Sequence, residues 1–236
     1  MKLLKTSVAV ASLLMASVSS FAQTAEEIVS KHLKAIGGAD GWKKVETIKM
    51  NGAMTAQGME IPLNITIQNN KAWRLDLEIM GTSNYQILTN SEGWAYFPIQ
   101  QMQKPEPMTP DMVKAMKNEL DIAGDFVDYK AKGNKFEFLG KDEVEGTEAL
   151  KLKLTSKDGK EKTYFLDATN YYIIREVEKI VADGQEVEMA TNYSNYQKLE
   201  GGLIFPMTIE SPQGPITFKS VELNPKVDES IFKPAN

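Results

Sequence analysis

The chain has 236 residues, with 27 basic against 32 acidic side chains, a formal charge of −5, one histidine and no cysteine. Without cysteine there is neither a disulfide framework nor thiol redox chemistry, so stability has to come from a hydrophobic core, which a chain of this length can bury. The acidic balance, with lysines spread singly along the sequence, argues against nucleic acid or an anionic membrane surface as the main partner.

Residues 1–22 combine Lys2 and Lys5, an apolar run from Val8 to Val18 and a Ser20-x-Ala22 ending. That is the pattern of an export signal, and the run is too short to cross a bilayer comfortably. Cleavage after Ala22 leaves 23–236 as one domain acting outside the cytoplasm. No cysteine follows the run to carry a lipid anchor, so the mature chain is expected to be soluble.

A helix is predicted from Thr24, with Thr24 as cap, Glu27 at the third helical position, and Ile28, Val29, Leu33 and Ile36 along one side. Gly37-Gly38 ends it. From Val45 the apolar period becomes two: Ile61, Leu63, Ile65, Ile67; then Trp73, Leu75, Leu77, Ile79; then Leu150, Leu152, Leu154. These are half-buried strands. Turn sequences at Gln68-Asn69-Asn70, Asn90-Ser91-Glu92-Gly93, Lys157-Asp158-Gly159, Asp167-Ala168-Thr169-Asn170, Ala182-Asp183-Gly184 and Glu200-Gly201-Gly202 punctuate an antiparallel meander of about eleven strands.

Residues 98–133 interrupt the meander. Pro105, Pro107 and Pro110 exclude a central strand, and Thr109 followed by Pro110 starts a short helix, with further helical turns expected between Leu120 and Tyr129. Met108, Met112 and Met116 recur every four residues and would project from one face onto the sheet. Methionine is unbranched and polarizable, so such a face repacks around variable apolar shapes, as a lid over a lipid-sized cavity would; a core helix with gap-filling methionines has the same pattern. At this level a closed barrel, a two-sheet sandwich and a curved incomplete barrel with helices in its concavity all fit.

Catalytic constellations are missing. His32, beside Lys31, has no second histidine or cysteine at metal-ligand spacing and reads as a helix-face or surface residue. There is no Gly-x-Ser-x-Gly, phosphate-binding or dinucleotide-binding glycine pattern and no calcium loop. No catalytic residue, metal or cofactor is therefore assigned. Arg74 alternates outward from Trp73 and Leu75, which reads as an exterior ion pair; at a strand mouth its planar fork could instead hold a lid carbonyl or a ligand headgroup.

The blocks Asn90-Ser91-Glu92-Gly93-Trp94-Ala95-Tyr96, Phe138-Leu139-Gly140-Lys141-Asp142-Glu143-Val144-Glu145-Gly146, Tyr164-Phe165-Leu166-Asp167, Glu200-Gly201-Gly202-Leu203-Ile204-Phe205-Pro206 and Asn224-Pro225-Lys226-Val227-Asp228-Glu229-Ser230-Ile231-Phe232 follow one another across nearly the whole chain after residue 22. In this order the chain resembles the periplasmic outer-membrane lipoprotein-sorting (LolA/LolB-like) superfamily. The resemblance implies a mainly β, α+β fold: an incomplete antiparallel β-barrel of about eleven strands with an N-terminal helix and a mid-chain helical lid. It further implies a noncatalytic periplasmic carrier, a monomer, that takes acyl chains of lipoproteins or lipids between an inner-membrane donor and an outer-membrane acceptor. The other function it leaves open is an envelope lipid or lipoprotein sensor that signals to a protein partner. By position, Ile61, Leu63, Ile65, Trp73, Leu75, Leu77, Trp94 and Tyr96 correspond to the cavity wall and Met108, Met112 and Met116 to the lid. The lid-locking arginine that the family's carriers place beside a proline has no match here, where the chain reads Lys71-Ala72-Trp73-Arg74.

Overall fold

The computed structural model describes residues 23–182 and 185–235; the export-signal segment 1–22, and Asp183 and Gly184 of one expected turn, lie outside the described residues. Helix α1 (Ala25–Ala35) carries the expected capping box, with the Glu27 amide donating to Thr24 Oγ1 at 3.2 Å and the Thr24 amide donating to Glu27 Oε2 at 3.1 Å. A one-turn helix, α2 (Ala39–Trp42), follows.

Strands β1 (Thr47–Ala56), β2 (Met59–Gln68), β3 (Ala72–Ile79), β4 (Thr82–Thr89) and β5 (Gly93–Tyr96) lead into a two-residue strand β6 (Glu106–Pro107) and helix α3 (Pro110–Ala115). Then come β7 (Lys135–Val144), β8 (Thr147–Thr155), β9 (Glu161–Asp167), β10 (Ile173–Ala182), β11 (Gln185–Lys198), β12 (Ile204–Ser211) and β13 (Gly214–Leu223). All pair antiparallel in one sheet ordered β6-β5-β4-β3-β2-β1-β13-β12-β11-β10-β9-β8-β7. The end strands β6 and β7 do not pair with each other, so the barrel is incomplete. Among the described residues there are thirteen strands rather than about eleven, and Pro107 lies in the edge strand β6, where a missing ladder donor is tolerated.

Alternation divides the sheet into two faces. The concave face of β1–β4, β12 and β13 carries Ile48, Leu63, Trp73, Leu88, Met207 and Phe218, packed against Trp42, Met108, Val113 and Leu120. At the other end Leu150, Leu152, Leu154, Tyr164 and Leu166 pack against Ile28 and Val29 of α1 and against Phe126.

Gly37 closes α1 with φ +98° and lies so close to the turn before β12 that a Cβ would stand 2.7 Å from the Gly202 carbonyl oxygen. Gly38 has a similar φ of +94° but open space around it. Gly37→Ala and Gly38→Ala therefore share the left-handed strain of about 1–3 kcal/mol, and only the first adds a backbone clash. Urea denaturation of both variants should show Gly37→Ala as clearly the less stable; equal losses would mean that α1 and the turn before β12 are not held at this distance.

Candidate functional site

The segment after β5 is fastened at both ends. The Met108 amide donates to the Gly93 carbonyl at 2.8 Å; further on, the Asn70 amide donates to the Leu120 carbonyl at 2.7 Å and the Ile122 amide to Asn69 Oδ1 at 3.1 Å. Between these points α3 lies over the β1–β5 half of the concave face. Its inward residues are Val113, 8 % exposed, and the partly buried Met116. Met108 is buried but precedes the helix, and Met112 is 46 % exposed. The expected single methionine face is thus corrected: α3 starts at Pro110 and tightens into a 3₁₀ turn at Met116, so a spacing of four does not stay on one side.

The expected wall residues divide as well. Ile61, Leu63, Ile65, Trp73, Leu75 and Leu77 lie on the concave side, where Leu63 and Trp73 are packed with Met108 and Val113, and Ile65, Leu75 and Leu77 are half-buried against the same core. The space beneath α3 is filled by these side chains. Trp94 and Tyr96 face the opposite, convex side. Gly93 pairs with Leu88, which puts Trp94 opposite Ile87 and Tyr96 opposite Tyr85, and this group is covered by Val227, Ile231 and Phe232. Arg74 is on that side too: it forks onto Asp76, donates to the Ile231 carbonyl at 2.6 Å and stacks 4.6 Å from the Tyr85 ring centre. It pins the C-terminal segment rather than the lid.

An open cavity of about 380 Å³ lies elsewhere, between residues 118–126 with α1 on one side and the concave face of β9–β12 on the other. Ile36, Trp42, Ile122, Phe126, Ile173 and Phe205 supply apolar and aromatic wall. The Ile36 carbonyl accepts from both Trp42 Nε1 and the Ile204 amide, each at 3.0 Å, which ties the end of α1 to β12 and fixes this wall.

One end of the cavity is polar. Lys162 Nζ stands 2.9 Å from Glu176 and 3.4 Å from Asp125; Tyr164 donates to Asp125 at 2.6 Å and Tyr193 to Glu176 at 3.1 Å. Burial alone would lower the Lys162 pKa, but Glu176 and Asp125 outweigh it and hold the ammonium above its ordinary range. Burial and the neighbouring carboxylates push the Tyr164 and Tyr193 phenols up, so both stay protonated donors. Glu119 stands at the mouth with its surface exposed, and its carboxyl is raised above the ordinary range, chiefly by the protein packed near it that thins its hydration, with Glu176 and Glu178 adding and Lys162 opposing. Among the described residues no cluster of histidine and carboxylate groups is arranged to hold a metal ion.

His32 also lines the cavity and is buried rather than on the surface, 3 % exposed. It follows Ile28 by one helical turn, its Nδ1–H donates to the Tyr171 carbonyl at 2.8 Å, and its ring lies 4.4 Å from Phe126. The sequence reading missed Lys162, Asp125, Glu176, Tyr193, Tyr196 and Phe205. Lys162 and Glu176 sit in stretches where both faces of the strand carry aromatic or apolar residues, and only the pairing of Glu176 with Tyr164 and of Lys162 with Leu154 assigns them inward.

In architecture the chain is similar to a LolA superfamily protein from Nitrosomonas europaea (14% identity, 90% of this chain and 98% of that one, TM-score 0.56). A domain from Vibrio parahaemolyticus described as an outer membrane lipoprotein-sorting protein is comparable (12% identity, 87% and 94%, TM-score 0.54). So is a DUF1329 family protein from Desulfovibrio piger (11% identity, 90% and 98%, TM-score 0.51). No protein-family model matches the sequence, and no curated protein matches it either. The chain therefore shares the fold of the LolA-type lipoprotein-sorting structures.

Burial holds His32 at a pKa of about 4, against an ordinary 6.5. The unfolded chain binds the proton first on acidification, so this contribution to stability is complete above about pH 6.5 and is lost as the pH falls towards 4, on the order of 3 kcal/mol in all. Thermal denaturation across this range should show that loss, and His32→Asn, which keeps a donor for Tyr171, should flatten it. An unchanged profile in the variant would assign the acid sensitivity to other groups.

Proposed function

We propose that this protein is a noncatalytic carrier of the bacterial envelope that shelters an acyl chain of a lipid or lipoprotein in the cavity between residues 118–126, α1 and β9–β12. The observation that carries the reading is an open, largely apolar hollow between a helical layer and the concave face of a sheet that has the lipoprotein-sorting fold. A volume of about 380 Å³ stands at the small end of ligand cavities, which run from about 300 to 1,000 Å³, and suits a single chain better than a cluster of chains.

Burying about ten methylenes contributes roughly 8 kcal/mol gross, from which association and ordering subtract several kcal/mol. The net affinity is moderate, as release to an acceptor requires. The titratable groups of the cavity favour holding over chemistry: Lys162 is neutralised by two carboxylates, His32 is engaged with a backbone carbonyl, and the Tyr164 and Tyr193 phenols are held protonated. The export signal of residues 1–22 supports a periplasmic site of action, and the carrier is read as a monomer passing cargo from an inner-membrane donor to an outer-membrane acceptor. The inward set Leu63, Trp73, Met108 and Met116 would act here as the packed floor under α3, able to yield if a longer chain enters, with methionine the most adaptable member.

Native mass spectrometry of gently purified protein should show an added mass of lipid size. Phe205→Glu and Ile122→Glu, which put a carboxylate against the apolar wall, should reduce retention tenfold or more with the β circular-dichroism signal intact, while Met112→Glu, on the exposed side of α3, leaves retention unchanged. A clean apo mass, or loss of lipid in the Met112 variant alone, would sink the assignment of this cavity.

A further inference from the structure

A second hollow adjoins the first: a groove of about 640 Å³ between the α3–3₁₀ segment and the turn that joins β8 to β9. Six lysines and three aspartates line it, in a chain whose overall charge is negative. Two of the lysines are neutralised, Lys132 by Asp121 and Lys162 by Asp125 and Glu176. The other four are not. Lys114 and Lys117 come from one bank and Lys157 and Lys160 from the other, all exposed, and none forms an ion pair among the described residues.

The two banks act on common ground. Asp158 is held below the usual carboxylate range by the Ser156 hydroxyl, and also by Lys160 and by Lys114 from across the groove. Four exposed ammonium groups with only the Asp158 carboxylate among them leave this part of the groove net positive, and an anion between them reduces their mutual repulsion. Each lysine offers three donors, which suit the several acceptor oxygens of a phosphate. Asn118, Asp121, Asp125 and Lys162 belong to both hollows, so the groove begins where the apolar cavity ends.

We propose that the groove holds the phosphate-bearing anionic head of the same amphiphile whose acyl chain enters the cavity, which makes an anionic phospholipid the preferred ligand. This inference rests on the acyl-cavity reading and narrows it from lipoprotein or lipid to a class of lipid.

The test uses protein purified after expression of the whole chain and monomeric short-chain phosphatidylglycerol and phosphatidylcholine with identical tails, followed by calorimetry at low and high salt. Phosphatidylglycerol should bind about tenfold tighter or better at low salt, with the advantage shrinking as salt rises. Lys157→Glu with Lys160→Glu, and separately Lys114→Glu with Lys117→Glu, should erase the advantage, with phosphatidylcholine losing far less affinity because its choline cation offsets its phosphate; two pairs on opposite banks guard against a local folding defect in either. Equal affinity for both lipids in the unaltered protein, or an advantage that survives both double variants, overturns the head-group assignment and leaves the tail cavity standing. If neither lipid binds, the acyl-cavity reading falls and takes this one with it. Inorganic phosphate alone binding as tightly as phosphatidylglycerol would make the groove a free-phosphate site, and charge-dependent binding seen only with anionic vesicles would make it a membrane contact; either result overturns the proposal.

Discussion

A sheet with one continuous apolar face cannot leave that face in water, and everything else in this molecule follows from how the face is covered. The chain supplies two covering pieces, α1 at its start and residues 98–133 in its middle. α1 packs its buried residues Ile28 and Val29 on the β7–β9 end, and α3 sits over the β1–β5 end. Each seals its own end, and the strip between them, along β9–β12, stays open as the cavity. The hollow is the seam between two covers rather than the space beneath one lid.

That arrangement explains why polar groups gather where they do. A strip that neither cover seals can accept charge only if the charge is compensated, and Lys162 with Glu176, Asp125 and two tyrosine hydroxyls forms a compensated set at its end. The same seam brings the exposed lysines of α3 and its 3₁₀ continuation alongside those of the β8–β9 turn. Lysines spaced singly along the chain argue against an anionic partner only while the chain is viewed as a line. Folding places Lys114 and Lys117 opposite Lys157 and Lys160, and the patch exists only in three dimensions.

The features that were legible are those governed by local rules. The capping box at Thr24, the period-two strands of an antiparallel meander, and the mid-chain interruption marked by Pro105, Pro107 and Pro110 follow from neighbours within a few residues, whereas the closing of all strands into one open sheet does not. The features that were not legible depend on register between distant segments. Trp94 and Trp73 look alike as aromatic strand residues, yet the Gly93–Leu88 pairing sends one to each face. Met112 keeps the right spacing from Met116 but not the right side, because the short helix changes its winding. His32 was decipherable from its spacing to Ile28, and its polar character concealed a buried role that a carbonyl at Tyr171 makes possible.

By itself, the sequence determined a cysteine-free, mainly β chain with one inward apolar face and an inserted helical segment available to cover it, because burial and backbone preference act over short stretches of chain. Only the tertiary structure decided where the cover stops, which tryptophan faces inward and which charges meet. Those outcomes are set by pairing between strands and by packing of segments remote in sequence, for which no local pattern carries the information.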